Sequence, residues 1–115
     1  MPNAPAYLPT FVQLRAFARQ SEMLFSDEDI AAIERRLCEN PEAGSLIAGS
    51  GGVRKLRVGA SGRGRSGGAR VIYYHRAANA RIYMLYAYAK NDASDVTPAG
   101  VKIFAKLVKV LNGEP

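Results

Sequence analysis

Residues 70–89 read RVIYYHRAANARIYMLYAYA, and this stretch decides the fold. Two runs rich in β-forming residues, Arg70–Arg76 and Arg81–Ala89, flank a short Ala77–Ala80 segment that can turn. Upstream, Val53–Val58 alternates in the manner of a strand. Leu56 and Val58 fall on one face of an extended chain, and Lys55 and Arg57 fall on the other. Together the three segments predict an antiparallel meander.

Outside the meander the period changes. Ser26-Asp27-Glu28-Asp29 is a helix start, since the Ser26 hydroxyl can accept from free backbone N–H groups and the acids suit the positive end of the helix dipole. Ile30, Ile33 and Leu37 then make one apolar stripe. Asn40-Pro41 ends it, because the residue before a proline is pushed out of helical angles. Earlier, Phe11, Leu14, Phe17 and Ala18 lie at helical spacing and predict a short first helix over Thr10–Arg19. At the other end Thr97-Pro98 opens a helix with proline at its first position, its buried stripe being Val101, Phe104, Leu107, Val108 and Leu111. Between Pro41 and Gly52 the chain is rich in Gly, Ser and Ala, with Leu46-Ile47 its only apolar anchor. That reads as a connection with room for a short strand. The expected architecture is α+β, a single domain over residues 1–115. Two N-terminal helices and a C-terminal helix pack on one face of a small antiparallel sheet of three to four strands.

The charge is unevenly placed. The chain carries a net +6, and between Ala43 and Asn91 there is no Asp or Glu at all. That stretch nonetheless holds Arg54, Lys55, Arg57, Arg63, Arg65, Arg70, Arg76, Arg81 and Lys90. Solvated surfaces normally interleave both signs because crowded like charges repel. Half a chain stripped of carboxylates therefore predicts a surface that faces phosphates. The remaining composition excludes other classes. No apolar stretch approaches the roughly 20 residues that span a bilayer, so no membrane role is expected. Met1-Pro2-Asn3-Ala4-Pro5 lacks the basic start and apolar run of a signal peptide. Cys38, the one cysteine, has no partner for an internal disulfide. The expected location is the cytoplasm.

Gly62-Arg63-Gly64-Arg65-Ser66-Gly67 matches G-x-G-x-x-G, the pattern of dinucleotide-binding turns. Such a turn must open a helix whose N-terminus holds the pyrophosphate, yet Ala69–Tyr74 follows here as a strand. A kinase-type loop does join two strands, but 115 residues cannot hold the rest of a kinase. What remains is a basic loop in which Arg63 and Arg65 are candidate phosphate contacts and the glycines allow close backbone approach.

Arg54, Lys55, Arg57, Arg70 and Lys90 form the main candidate cluster, since side chains on one face of neighbouring strands lie close together. Several cations held together repel unless an anion sits among them. For RNA the nucleophile is the substrate's own 2′-hydroxyl. Crowding by like charges favours the neutral form of a lysine, the form a general base needs. Neighbouring arginines would stabilise charge building on the phosphate oxygens. The same residues would equally serve a passive phosphate grip, and the residues alone leave the two readings open. His75 is the only histidine, falls where its strand is ending, and lacks a second titrating partner for acid–base work. Tyr86 and Tyr88 share parity with Lys90 and are the candidates for stacking on bases. One Cys, one His and no acidic pair in the basic half give no metal site, and no cofactor is expected.

Three patterns in order, G-x-R-K-x-R over Gly52–Arg57, G-G-x-R-x-I-Y-Y over Gly67–Tyr74 and Y-x-K-N over Tyr88–Asn91, resemble the HigB branch of the RelE toxin superfamily. The likeness runs from about Phe11 to Leu111. It implies a RelE-like fold and a toxin that cleaves mRNA in the ribosomal A site without a metal ion. In that picture Lys55, Arg57, Arg70 and Lys90 are the catalytic residues. A lysine is the base and an arginine steadies the phosphate, while Arg54, Arg63, Arg65, Tyr86, Tyr88 and Asn91 contact RNA. The implied partners are the ribosome, mRNA and a cognate HigA- or RelB-like antitoxin, which often carries a DNA-binding domain. Asn91 stands where some members carry arginine, and Thr97–Pro115 holds neither the tyrosine nor the histidine that others have near the C-terminus. A branch with this fold poisons DNA gyrase instead, so the alternatives are a non-catalytic binding protein of that kind, a degenerate toxin, or a basic RNA-binding module.

Overall fold

The structure, a computed structural model, describes residues 7–60, 68–90 and 96–113. Arg63, Arg65 and the rest of the glycine-rich loop over 61–67, together with Asn91, lie outside the described residues. The elements run β1 (Thr10–Gln13), α1 (Arg15–Leu24), α2 (Asp27–Glu39), β2 (Ser45–Leu46), β3 (Val53–Val58), β4 (Ala69–Arg76), β5 (Arg81–Ala89) and α3 (Pro98–Leu111). The architecture is α+β, as expected, with three helices on one sheet.

The sheet has five strands in the order β1-β5-β4-β3-β2. The predicted β3-β4-β5 meander is its antiparallel centre, and β2 adds the short strand beside β3 through Ser45↔Lys55 and Leu46↔Arg54. At the far edge the structure departs from expectation. Thr10–Gln13 is a strand rather than the start of a helix, and it pairs parallel to β5 from Thr10↔Arg81 to Gln13↔Met84. The sheet is therefore mixed. Thr-Phe-Val-Gln is β-prone, and the pairing places Phe11 against one core while Val12 packs against the other. Helix α1 begins only at Arg15 and buries Phe17 and Leu24.

Helix α2 follows its sequence signals. The Ser26 side chain accepts from the Asp29 N–H, and the Asp29 carboxylate accepts from the Ser26 N–H. The helix ends at Glu39, with Asn40 as its cap. Ile33 and Leu37 are buried against the sheet with Phe17, Leu24 and Phe25. This core meets the face formed by Leu56, Val58, Ala69, Val71, Tyr73, Ile82, Met84, Ala87 and Ala89.

The helices do not all share that face. Val108 of α3 lies in a second core with Val53, Ile72, Tyr83, Leu85 and Tyr88, on the opposite side of the sheet. Phe104, Leu107 and Leu111 pack beside it, and the Tyr74 hydroxyl and Arg76 Nε both donate to Asn112 Oδ1, at 2.9 and 3.0 Å. One sheet face is thus covered by α1 and α2, and one end of the other face by α3. The amphipathic pattern of α3 requires an apolar surface to cover but does not say which.

Candidate nucleic-acid interface

The remaining end of the α3 side is where the basic residues converge. In the β3–β4 register Arg57 stands directly opposite Arg70, and in the β4–β5 register Arg70 stands opposite Tyr88. The next row on this face is Lys55, Ile72 and Tyr86. Directly opposed side chains on antiparallel strands have Cβ atoms about 5 Å apart and diagonal ones about 7–8 Å. Lys55, Arg57 and Arg70 therefore rise from one patch of this face, at Cβ spacings over which their side chains can reach a single phosphate group. Arg57 is exposed, and Lys55 and Arg70 are half-buried. Lys90 is exposed one residue beyond β5, where its backbone N–H donates to the Gly68 carbonyl at 3.2 Å. Strand alternation puts it on the Tyr88 side.

A β-bulge brings the tyrosines to this face. Ile72 pairs with Tyr86 but Tyr73 pairs with Met84, so Leu85 is an extra residue in β5. The extra residue shifts the alternation, and Tyr83, Tyr86 and Tyr88 all belong to the α3-side core or its margin. Tyr86 is half-buried and its ring centroid lies 6.3 Å from that of Tyr88. Tyr88 itself is only 8% exposed, which leaves Tyr86 as the ring with surface for a base.

Arg54 does not join the cluster. It shares parity with Leu56 and Val58 and so projects from the opposite face of β3. There Arg54 Nη1 donates to the carbonyls of Gly44 and Glu42, at 2.7 and 3.3 Å. Beside it the Tyr73 hydroxyl donates to Pro41 O at 2.7 Å and accepts from Gly44 N–H at 3.0 Å. A Cβ on Gly44 would lie 2.9 Å from both Lys55 O and a Tyr73 ring carbon, so the glycine is what lets this loop close on the strand. Arg54 and Tyr73 thus pin the α2–β2 connection. From α2, Arg36 Nη1 donates to Arg57 O at 2.9 Å, where β2 no longer covers the edge of β3. This bond fixes the backbone that carries Arg57, and sequence patterning gave no sign of it.

His75 also lies on the α1/α2 side, in register with Ile82, away from Lys55, Arg57 and Arg70. The Tyr7 hydroxyl is 2.8 Å from its Nε2, with the rings edge to face at 5.5 Å. Burial holds the imidazole below its ordinary 6.5, an effect the nearby Glu42 opposes and Arg54 reinforces. A histidine that protonates less readily in the folded state than in the unfolded one makes stability fall with pH, since the unfolded chain then takes up more protons. The His75 contribution is intact above 6.5 and is lost as pH drops through the folded value. Urea titrations from pH 7 to 5 should show a shallower decline in His75→Gln than in the parent. Equal slopes would remove the assignment. Among the described residues, no group of three or more His, Cys, Asp or Glu side chains is placed to hold a metal ion. No helix among them is long and apolar enough to cross a membrane.

An open basic row on a five-stranded sheet, flanked by two helices behind and one in front, defines the class. The fold matches a double arginine-to-alanine mutant of the E. coli toxin RelE in its free state. The TM-score is 0.58 at 18% identity, over 87% of this chain and 96% of that one. The sequence in turn matches the family described as the RelE toxin of the RelE/RelB toxin–antitoxin system, over residues 12–114. The chain belongs to the RelE toxin family. Membership makes it the toxin partner of a toxin–antitoxin pair and implies an antitoxin that binds it.

Proposed function

We propose that the chain is a ribosome-dependent mRNA endonuclease that cleaves by attack of the RNA 2′-hydroxyl, acting in the cytoplasm as one domain. The observation that carries this reading is the register pair Arg57↔Arg70 with Lys55 diagonal to it, on the α3 side of the sheet. Two arginines facing each other repel, so the arrangement costs stability unless an anion occupies it. A scissile phosphate is such an anion.

In the proposed reaction Lys55 takes the proton of the 2′-hydroxyl. The 2′-oxygen attacks the adjacent phosphorus, and the bond from phosphorus to the 5′-oxygen breaks. Arg57 and Arg70 hold the non-bridging oxygens as negative charge builds on them, a role fixed donors perform best when already in place. The ammonium of Lys90 returns a proton to the leaving 5′-oxygen. The products are a 2′,3′-cyclic phosphate and a 5′-hydroxyl, and RNA supplies the nucleophile. Tyr86 stacks on a neighbouring base, and Arg63, Arg65 and Asn91 add backbone contacts. The cognate antitoxin, HigA- or RelB-like, holds the activity in check.

Brief induction in bacteria followed by mapping of new mRNA 5′ ends tests this reading. The expected result is ends inside translated frames at a fixed offset from stalled ribosomes, lost when translation is blocked. Growth arrest with intact mRNA would move the chain to the gyrase-poisoning branch. No arrest at all would point to a degenerate toxin or a plain RNA-binding module.

A further inference from the structure

Helix α3 buries one side and leaves the other bare. Val108 is buried against the sheet, whereas Lys102, Lys106 and Lys109 are all exposed. At 3.6 residues per turn these three lysines share one narrow stripe, spanning about 10 Å of helix. Ile103 and Val110, seven residues apart and therefore in line along the axis, run beside it and are 64% and 67% exposed. No acidic residue occurs between Pro98 and Leu111 to offset the lysines. The sequence pattern absorbs the buried stripe of this helix but not this second one.

The two components of the outer face ask for a partner with two properties. Phosphates of an RNA backbone would meet the lysines but give Ile103 and Val110 nothing to bury against. A protein helix with a row of carboxylates beside an apolar row satisfies both, since apolar contact supplies affinity and charge complementarity supplies register and speed of encounter. A toxin–antitoxin family requires a protein partner for this chain.

We propose that the outer face of α3 is a docking surface for the antitoxin. It takes an acidic amphipathic helix that covers Ile103 and Val110 and pairs its carboxylates with Lys102, Lys106 and Lys109. The proposal rests on family membership and is independent of the endonuclease reading. The test is calorimetric affinity of the full chain for the antitoxin encoded beside it, at low and at physiological salt. The charge-reversed variant K102E/K106E/K109E should bind roughly 30-fold or more weakly and lose most of the salt dependence. I103S/V110S should bind roughly tenfold more weakly with its salt dependence retained. Both should keep the parent's thermal midpoint and its mRNA cleavage, because every substituted side chain is exposed and none belongs to the Lys55, Arg57 and Arg70 cluster. Unchanged antitoxin affinity in both variants would overturn the proposal. So would loss of ribosome binding with antitoxin affinity intact, which would assign the stripe to RNA. Affinity is read without cleavage, so failure of the endonuclease reading leaves this test standing.

Discussion

Replacing Arg57 and Arg70 together by alanine should slow mRNA cleavage by about 10³-fold while leaving the protein as stable as before, or more so. The two residues are directly opposed across β3 and β4. Removing a donor aimed at developing oxyanion charge costs about 10²–10³ in rate. Because both arginines serve one phosphate, the double substitution should cost about 10³-fold or slightly more rather than the product of the singles. The stability change goes the other way. Facing cations are unfavourable neighbours, and among the described residues Arg70 has only a 3.3 Å bond from Nη1 to Ala69 O to lose. The thermal midpoint should therefore hold or rise by a few degrees. Cleavage of ribosome-bound mRNA by primer extension, beside a melting curve, reads both quantities. Activity within tenfold of the parent would sink the assignment. A loss of cleavage matched by an equal loss of ribosome affinity would make the row a grip, since a grip loses binding with each charge removed.

How much of this site was legible depends on how local each cause is. The extent of β5 and the ends of α2 follow from residues adjacent in the chain: the β-prone run, the Ser26 cap and the Asn40-Pro41 stop. Lys55, Arg57 and Arg70 came out together because alternation within a strand plus a simple meander suffices to place them. Arg54 was legible too, since it has the parity of Leu56. Reading charge density ahead of parity grouped it with the wrong face. Strand β1 was not legible in that way. Phe11, Leu14 and Phe17 are spaced as on a helix, and only the pairing of Thr10–Gln13 with Arg81–Met84, far along the chain, makes the first four residues a strand. The bulge at Leu85 is likewise a property of two strands. Counting parity along β5 would separate Tyr83 from Tyr86, and the extra residue returns them to one face. The choice of face by α3 depends on which side of the sheet offers Val53, Ile72, Tyr83 and Leu85 to cover, which no periodicity within the helix records.

The basic row depends on one glycine for its geometry, and Gly68→Ala should reveal it. Gly68 has φ +76°, and a Cβ there would lie 2.4 Å from the Val58 carbonyl oxygen. No flexible side chain is available to yield, because the obstacle is the backbone of β3. Left-handed angles alone cost a residue with a Cβ about 1 kcal/mol, and forcing atoms into packed space adds about 1–3 kcal/mol. The sum, about 3 kcal/mol, corresponds to a fall of roughly 10–15 °C in thermal midpoint for a chain of this size. Gly59, on the facing side of the same loop, supplies the control. Its Cβ would meet nothing within 4 Å among the described residues, so Gly59→Ala should be nearly neutral. The strain at Gly68 is relieved only by parting β3 from β4 at Val58↔Ala69, one residue from Arg57↔Arg70, and by disturbing the Gly68 carbonyl that holds the Lys90 N–H. Cleavage should therefore stay depressed, by roughly tenfold or more, even at 15 °C where the variant is fully folded, because a displacement of about 1 Å at a catalytic group costs on that order. Full activity at low temperature would show that the two arginines tolerate separation, and the reaction would then depend on fewer than both. A melting point unchanged from the parent would mean that the β3–β4 end opens freely, and the fixed row would lose its basis.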